Sequence, residues 1–328
     1  MMIGAVVLGL AAIVSLVTLV AGAGAGSTVV LVSYSTPREA YAELIPAFQK
    51  TSAGAAVEFS ESYGSSGEQS RSVDAGLPAD IVTFSLAPDM ERLVKAGLVA
   101  ATWDRNEFNG FVTKSVVVLV VREGNPEGIT GWADLVRPGV DVIEPNPFTS
   151  GGAKWNIMAA YGAQLRQGKS EEEARAYLTD LFEHVPVQDK SAREALQTFV
   201  GGKGDVLLSY ENEAIAARLA GEAIDYVVPD ETILIESPLA VTKQASASAN
   251  ARAFYDYLYT QEAQAIFVSK GYRPVVDGVP GADEFQTPAQ LFTIADLGGW
   301  DEVNDVFFDP DDSVMATIER GLGISTKQ

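Results

Sequence analysis

The residues best placed to do chemistry are Ser150, Gly151 and Gly152, inside the stretch PNPFTSGGAKWN at 145–156. Pro145 and Pro147 forbid helix ahead of them. Trp155, Met158, Ala159, Gly162 and Leu165 then recur at helical spacing. The pattern predicts a loop that becomes a helix at Ser150. The first turn of a helix has backbone N–H groups without intrahelical acceptors, and the helix dipole makes that end positive. Glycines leave those N–H groups open to a ligand, and Ser150 adds a hydroxyl. The chemistry on offer is capture of an anion without a formal positive charge. Gly-rich helix starts also serve packing alone, so the argument needs further starts of the same kind. Two exist. YGSSGEQSRSV (63–73) is a Gly/Ser loop followed by a helix, with Ser66 and Gln69 at capping-box spacing. Ser191 and Glu194 repeat that spacing ahead of Ala192, Ala195, Leu196, Phe199 and Val200.

Other chemistries lack their parts. The single histidine, His184, follows a helix far from any nucleophile, and reads as a surface residue rather than a triad member. With no cysteine there is no disulfide, no thiolate metal site and no lipid-modified cysteine. GGKGD (201–205) lacks P-loop spacing, and DPDD (309–312) lacks the rest of a calcium loop. No two carboxylates stand in a spacing that marks a catalytic pair. The expectation is a binding protein, not an enzyme, with no cofactor and no metal.

The elements that must position these loops alternate. VVLVSYS (29–35), AAVEFSES (55–62) and ADIVTF (79–84) read as strands, separated by helices opening at Pro37–Arg38 and after the Gly/Ser loop; another runs Ala87–Ala96, ended by Gly97. SVVVLVVREGNP (115–126) is a long apolar strand that could leave one sheet for a second. EEEARAYLTDLF (171–182) is an amphipathic helix, GDVLLSY (204–210) a strand, and 226–243 a strand pair returning to the first unit. A helix pair over 249–270 ends at Gly271, and the acidic tail packs on the outside. Such alternation indicates an α/β fold with a mostly parallel sheet.

Formal charge is 23 − 44 = −21 over 328 residues, which excludes nucleic-acid binding through a basic face. Any bound anion must be held by local dipoles against that field. No charged residue precedes Arg38, and residues 3–20 are almost wholly apolar, followed by AGAGAGS (21–27). Residues 1–26 read as a cleaved export signal or a retained anchor.

Several stretches together resemble the periplasmic sulfate-binding proteins that serve ABC importers. They are VSYSTPRE (32–39), GSSGEQ (64–69), ADIVTFSLA (79–87), 120–143, PNPFTSGGAKWN, GDVLLSYENEA (204–214), GYRPV (271–275) and LFTI…GGW (291–300). The resemblance spans Val29 to about Gly321. It implies a two-lobed, periplasmic-binding-protein-like (type II) α/β fold, with two crossover strands and the ligand in the interlobe cleft. Its lobes would be 27–112 plus 236–328, and 113–235. It implies a sulfate held by uncharged donors at Ser35, Ser66, Ser150, Gly151, Gly152, Ala192 and Tyr210, with Arg193 in support. Two positions depart from the family: Ser35 stands for an aspartate, and Tyr210 for an indole donor. Tyr210 is either a replacement hydroxyl donor or a core aromatic.

The resulting expectation is an exported, monomeric receptor, periplasmic or on the outer face of the cell membrane, that delivers sulfate to ABC permease subunits. Thiosulfate or another tetrahedral oxyanion such as molybdate is the alternative within the class. A membrane-tethered anion-sensing domain is the alternative outside it.

Overall fold

The computed structural model describes residues 28–326. Residues 1–26, read above as an export signal or an anchor, lie outside that range. The strands are β1 (Thr28–Tyr34), β2 (Glu58–Gly64), β3 (Ile81–Thr83), β4 (Phe111–Arg122), β5 (Val142–Ile143), β6 (Val206–Tyr210), β7 (Ile224–Val227), β8 (Glu231–Val241), β9 (Arg273–Pro274) and β10 (Gln290–Phe292). The helices are α1 (Arg38–Gln49), α2 (Ser66–Asp74), α3 (Ala87–Lys95), α4 (Gly151–Arg166), α5 (Glu171–Glu183), α6 (Ala192–Val200), α7 (Glu211–Leu219), α8 (Ala249–Tyr257), α9 (Gln261–Ser269), α10 (Gly299–Val303) and α11 (Val314–Gly321).

Strands pair in the order β2-β1-β3-β8-β4-β6-β5, with β10 on β8 and both β7 and β9 on β4. The sheet is mixed rather than mostly parallel. β1 runs parallel to β2 and β3, β5 parallel to β6 and β10 parallel to β8, but β4 and β8 run antiparallel to each other, β4 to β6 and β8 to β3. The reason is connectivity: β4 and β8 cross between the two ends of the sheet and pair with each other along Phe111–Val116 and Leu234–Pro238. Beyond that stretch β4 pairs β6 through Val117–Val121, and β8 pairs β3 through Leu239–Val241.

β4 is buried on both faces, so its sequence reads as a continuous apolar run. Alternation still sorts its side chains. Val117, Leu119 and Val121 join the core under α4 and α5, while Val116, Val118 and Val120 join the core under α6 and α7. Each fully buried aliphatic side chain of this kind contributes roughly 1.5–3 kcal/mol. The other end of the sheet has its own two cores. One gathers Tyr41, Phe48, Phe254 and Phe267; the other gathers Val82, Phe84, Met90 and Leu93.

The C-terminal segment packs away from β1–β3: Phe292, Val303, Phe307, Phe308, Met315 and Ile318 belong to the core with Trp155, Tyr161 and Tyr177. β10 pairs Glu231–Ile233 of β8, and the Trp300 ring meets Trp155 edge-on at 4.7 Å. Apolar burial decides the matter: these residues have their apolar partners on α4 and α5, so the segment is a cover for that half. Among the described residues, no helix is long and apolar enough to cross a membrane.

Candidate functional site: an anion cradle of helix starts

α4 begins where the prolines and glycines place it. Ser150 is the N-cap, with extended backbone, and its Oγ accepts from the Ala153 N–H at 3.3 Å. Among the described residues, no protein acceptor is bonded to the N–H groups of Gly151 and Gly152. A Cβ on Gly152 would stand 3.0 Å from Ala192 Cβ, 3.3 Å from Ser150 Oγ and 3.7 Å from a Tyr210 ring carbon. One point therefore gathers the start of α4, the start of α6 and the end of β6. At α6, Ser191 caps the helix by accepting from the Glu194 N–H at 3.2 Å, which leaves Ala192 at the first helical position.

The second Gly/Ser start differs from its reading. The cap of α2 is Ser65, not Ser66, and no side chain caps it. Gln69 turns back to accept from Ser62 Oγ at 3.2 Å instead of closing a capping box. Ser66 is the first helical residue and is buried. Its hydroxyl donates to Asp89 Oδ2 at 2.6 Å and accepts from the Ser85 N–H at 3.0 Å. The Ser66 side chain therefore ties α2 to the strand-to-helix turn before α3, and its backbone N–H is what remains for a ligand.

Ser85, which the sequence reading passed over, connects these pieces. Its Oγ lies 2.6 Å from the Tyr210 hydroxyl, and its carbonyl accepts from Trp155 Nε1 at 2.8 Å. A Cβ on Gly151 would meet Ser85 Oγ at 2.8 Å, so glycine is what permits α4 to approach this turn. Ser85 sits just past the carboxyl end of β3, the edge where open α/β sheets place ligands. That position, inside the ADIVTFSLA stretch, was the available signal. Tyr210 is fully buried, and burial raises its pKa well above the usual range, with Ser85 acting in the opposite direction. It is a neutral hydroxyl that bridges the two ends of the sheet.

Arg193 forms a second bridge. From α6 it reaches Glu39 of α1 at 2.6 Å, the Thr36 carbonyl at 3.1 Å and Glu213 of α7 at 2.9 Å. Burial opposes its charge, but the two carboxylates outweigh that and raise its pKa. Burial likewise pushes Glu39 up, and Arg193 more than offsets it, so the Glu39 carboxyl is held below its ordinary value. Arg193 thus has its charge neutralised beside the cradle rather than in it. Ser35, half-buried, lines a cavity of about 360 Å³ with Ser65, Ser191 and Arg193, whose walls do not include Ser150, Gly151 or Gly152. His184 is half-buried, with Nδ1 2.9 Å from the Val140 carbonyl.

A mixed α/β sheet of this order, with the starts of α4 and α6 meeting at one point and the turn that carries Ser85 closing on them from the other end, defines the class of two-part solute receptors. The chain belongs to the family of bacterial extracellular solute-binding proteins, whose profile matches residues 29–273, and groups there with the sulfate-binding proteins. It is 43% identical to the sulfate-binding protein of Synechococcus elongatus over 88% of this chain and 85% of the relative. It is 37% identical to the thiosulfate-binding protein of Pseudomonas aeruginosa over 74% and 77%. Among solved structures it resembles the sulfate-binding protein SubI from Mycobacterium tuberculosis H37Rv, with TM-score 0.83 and 45% identity, covering 86% of this chain and all of that one (100%).

Proposed function

We propose that this protein is a non-enzymatic, exported receptor that captures sulfate and delivers it to an ABC importer. One lobe is built on β1–β3 and the other on β5–β7 with the C-terminal cover. The observation that carries the reading is the meeting of Gly152, Ala192 and Tyr210, with unpaired N–H groups at the helix start. In this reading the backbone N–H groups of Ser66, Gly151, Gly152 and Ala192, and the hydroxyls of Ser150 and Tyr210, donate to the anion. Ser35 contributes at the rim, and Arg193 clamps the lobes together. The receptor works as a monomer in the periplasm or at the extracellular face of the cell membrane, with permease subunits as its protein partners.

Sulfate suits such a pocket because at neutral pH it only accepts hydrogen bonds. Monohydrogen phosphate brings a proton that needs an acceptor, and leaving it unpaired costs about 1–3 kcal/mol. Both Asp89 oxygens are already taken, by Ser66 and by Arg92. Dipoles also hold the dianion without the cost of burying a paired cation. Thiosulfate is the second reading, favoured by Tyr210 standing where sulfate-binding relatives are expected to place an indole. Calorimetric titration of the protein with sulfate, thiosulfate, molybdate and phosphate tests both. Sulfate should bind tightest and phosphate weakest; phosphate binding as well as sulfate contradicts the donor-only account.

A further inference from the structure

A cluster of cations stands beside the cradle and takes no part in it. Arg71 on α2, Arg92 on α3 and Lys154 on α4 line a cavity of about 550 Å³, partly open to solvent, with Asp89 and Asp311 among its walls. Ser150 and Gly151 form the wall it shares with the cradle. Its charges do not cancel. Asp89 Oδ1 lies 3.0 Å from Arg92, and Oδ2 holds the Ser66 hydroxyl, so this carboxylate is fully engaged. Among the described residues, neither Arg71 nor Lys154 has a carboxylate within ion-pair distance. Asp311 is exposed at the edge.

Lys154 is the telling member. It is half-buried, and its Nζ donates to Asn304 Oδ1 at 2.8 Å and lies 4.9 Å from the centre of the Phe308 ring. Burial lowers its pKa to about 8; Asp89 opposes this, and Arg92 and Arg71 add to it. An ammonium held this way retains donors for an incoming acceptor. In a chain of net charge −21, an uncompensated cation cluster around a cavity is a local reversal of field.

We propose that this cavity is a second anion site, distinct from the cradle, for a small organic oxyanion carrying two negative charges. Arg71, Arg92 and Lys154 supply its charged donors. A cavity of this size lies in the range of small-molecule sites and exceeds what an inorganic oxyanion fills. The two sites differ in mechanism. The cradle uses neutral dipoles; this one uses full charges at a partly solvated mouth, so its binding falls steeply with salt.

The proposal does not depend on what the cradle binds, and the test keeps the two apart. Protein carrying one equivalent of sulfate is titrated with succinate and, separately, with malonate. Either probe should bind at one equivalent, and added chloride should weaken it. Lys154→Gln and Arg71→Gln should each weaken the probe by about tenfold, the scale of a hydrogen bond between charged groups. Sulfate uptake should not change. Arg71 is exposed and unpaired, so its variant leaves folding intact, and sulfate binding checks the fold of both variants. Loss in Lys154→Gln alone keeps the site and removes Arg71 from it. Failure of both probes on the wild-type protein overturns the proposal, as does equal affinity in both variants. Failure of sulfate alone overturns the proposed function and leaves this site standing.

Discussion

The starts of α2 and α4 carry nearly the same letters, Ser65-Ser66-Gly67 and Ser150-Gly151-Gly152, and use them differently. At α4 the serine is the cap: its oxygen accepts from Ala153, and its proton stays available to a ligand. At α2 the cap is Ser65, and the hydroxyl of the next serine is bound on both sides, to Asp89 and to the Ser85 N–H. One start presents a side chain and backbone; the other presents backbone and uses its side chain to fix the turn that carries Ser85. A Gly/Ser helix start therefore states where N–H groups point, but the hydroxyl's role depends on what packs against it.

The largest expected effect breaks α4's share of the cradle. Gly152→Pro deletes an N–H and puts a ring where the account places the anion, so sulfate binding should vanish in calorimetry. Proline is tolerated in a helix's first turn, but its Cβ would stand 3.0 Å from Ala192 Cβ, so the melting temperature should fall as well, with the protein still folded at the temperature of the titration. The next contrast separates the two serines. Ser150→Ala should weaken sulfate by about 1–2 kcal/mol, through a lost charged hydrogen bond and a lost cap. Ser66→Ala should lower stability instead, by about 1–3 kcal/mol, because Asp89 and the Ser85 N–H lose a buried partner. Equal affinity losses with no stability loss at Ser66 would erase the distinction.

A smaller effect is expected at Tyr210. Its hydroxyl meets the buried Ser85 hydroxyl across the two ends of the sheet, so Tyr210→Phe should weaken sulfate by about 1 kcal/mol and cost stability of the same order. Unchanged affinity would make it a core aromatic. The smallest effect is a pH dependence at the third helix start, α6. Arg193 holds the Glu39 carboxyl below its ordinary value of 4.5 when the two ends of the sheet meet. A depressed carboxyl stabilises closure fully above its ordinary value, and that stabilisation is lost as pH falls through the depressed one. Sulfate affinity should therefore be flat from neutral pH down to the ordinary glutamate range and decline below it. In Glu39→Gln the decline should shrink. Glu39 is well exposed, so the change stays under about 1 kcal/mol.

Much of this was readable from local rules. Capping spacing and helical periodicity located α4 and α6, because the Ser191 cap and the Ser150 cap are made by neighbours within three residues. The same rules slipped by one at α2, where two adjacent serines offered the same spacing and the extended backbone falls at Ser65. Ser85 was missed for a different reason. Its partners Tyr210, Trp155 and Ser66 are distant in sequence, and a lone serine after a strand shows none of that. The packing of the tail is equally invisible to local rules. Phe307, Phe308 and Met315 announce an apolar face, but nothing local says which half of the molecule it covers.

The central claim is that backbone N–H groups, not cations, hold the anion. Amide proton shifts during sulfate titration of nitrogen-labelled protein read those groups one by one. The account predicts large downfield shifts at Gly151, Gly152 and Ala192, complete at one equivalent and little changed by added chloride. Shifts confined to the surroundings of Arg71, Arg92 and Lys154, with the glycine amides unmoved, would contradict it.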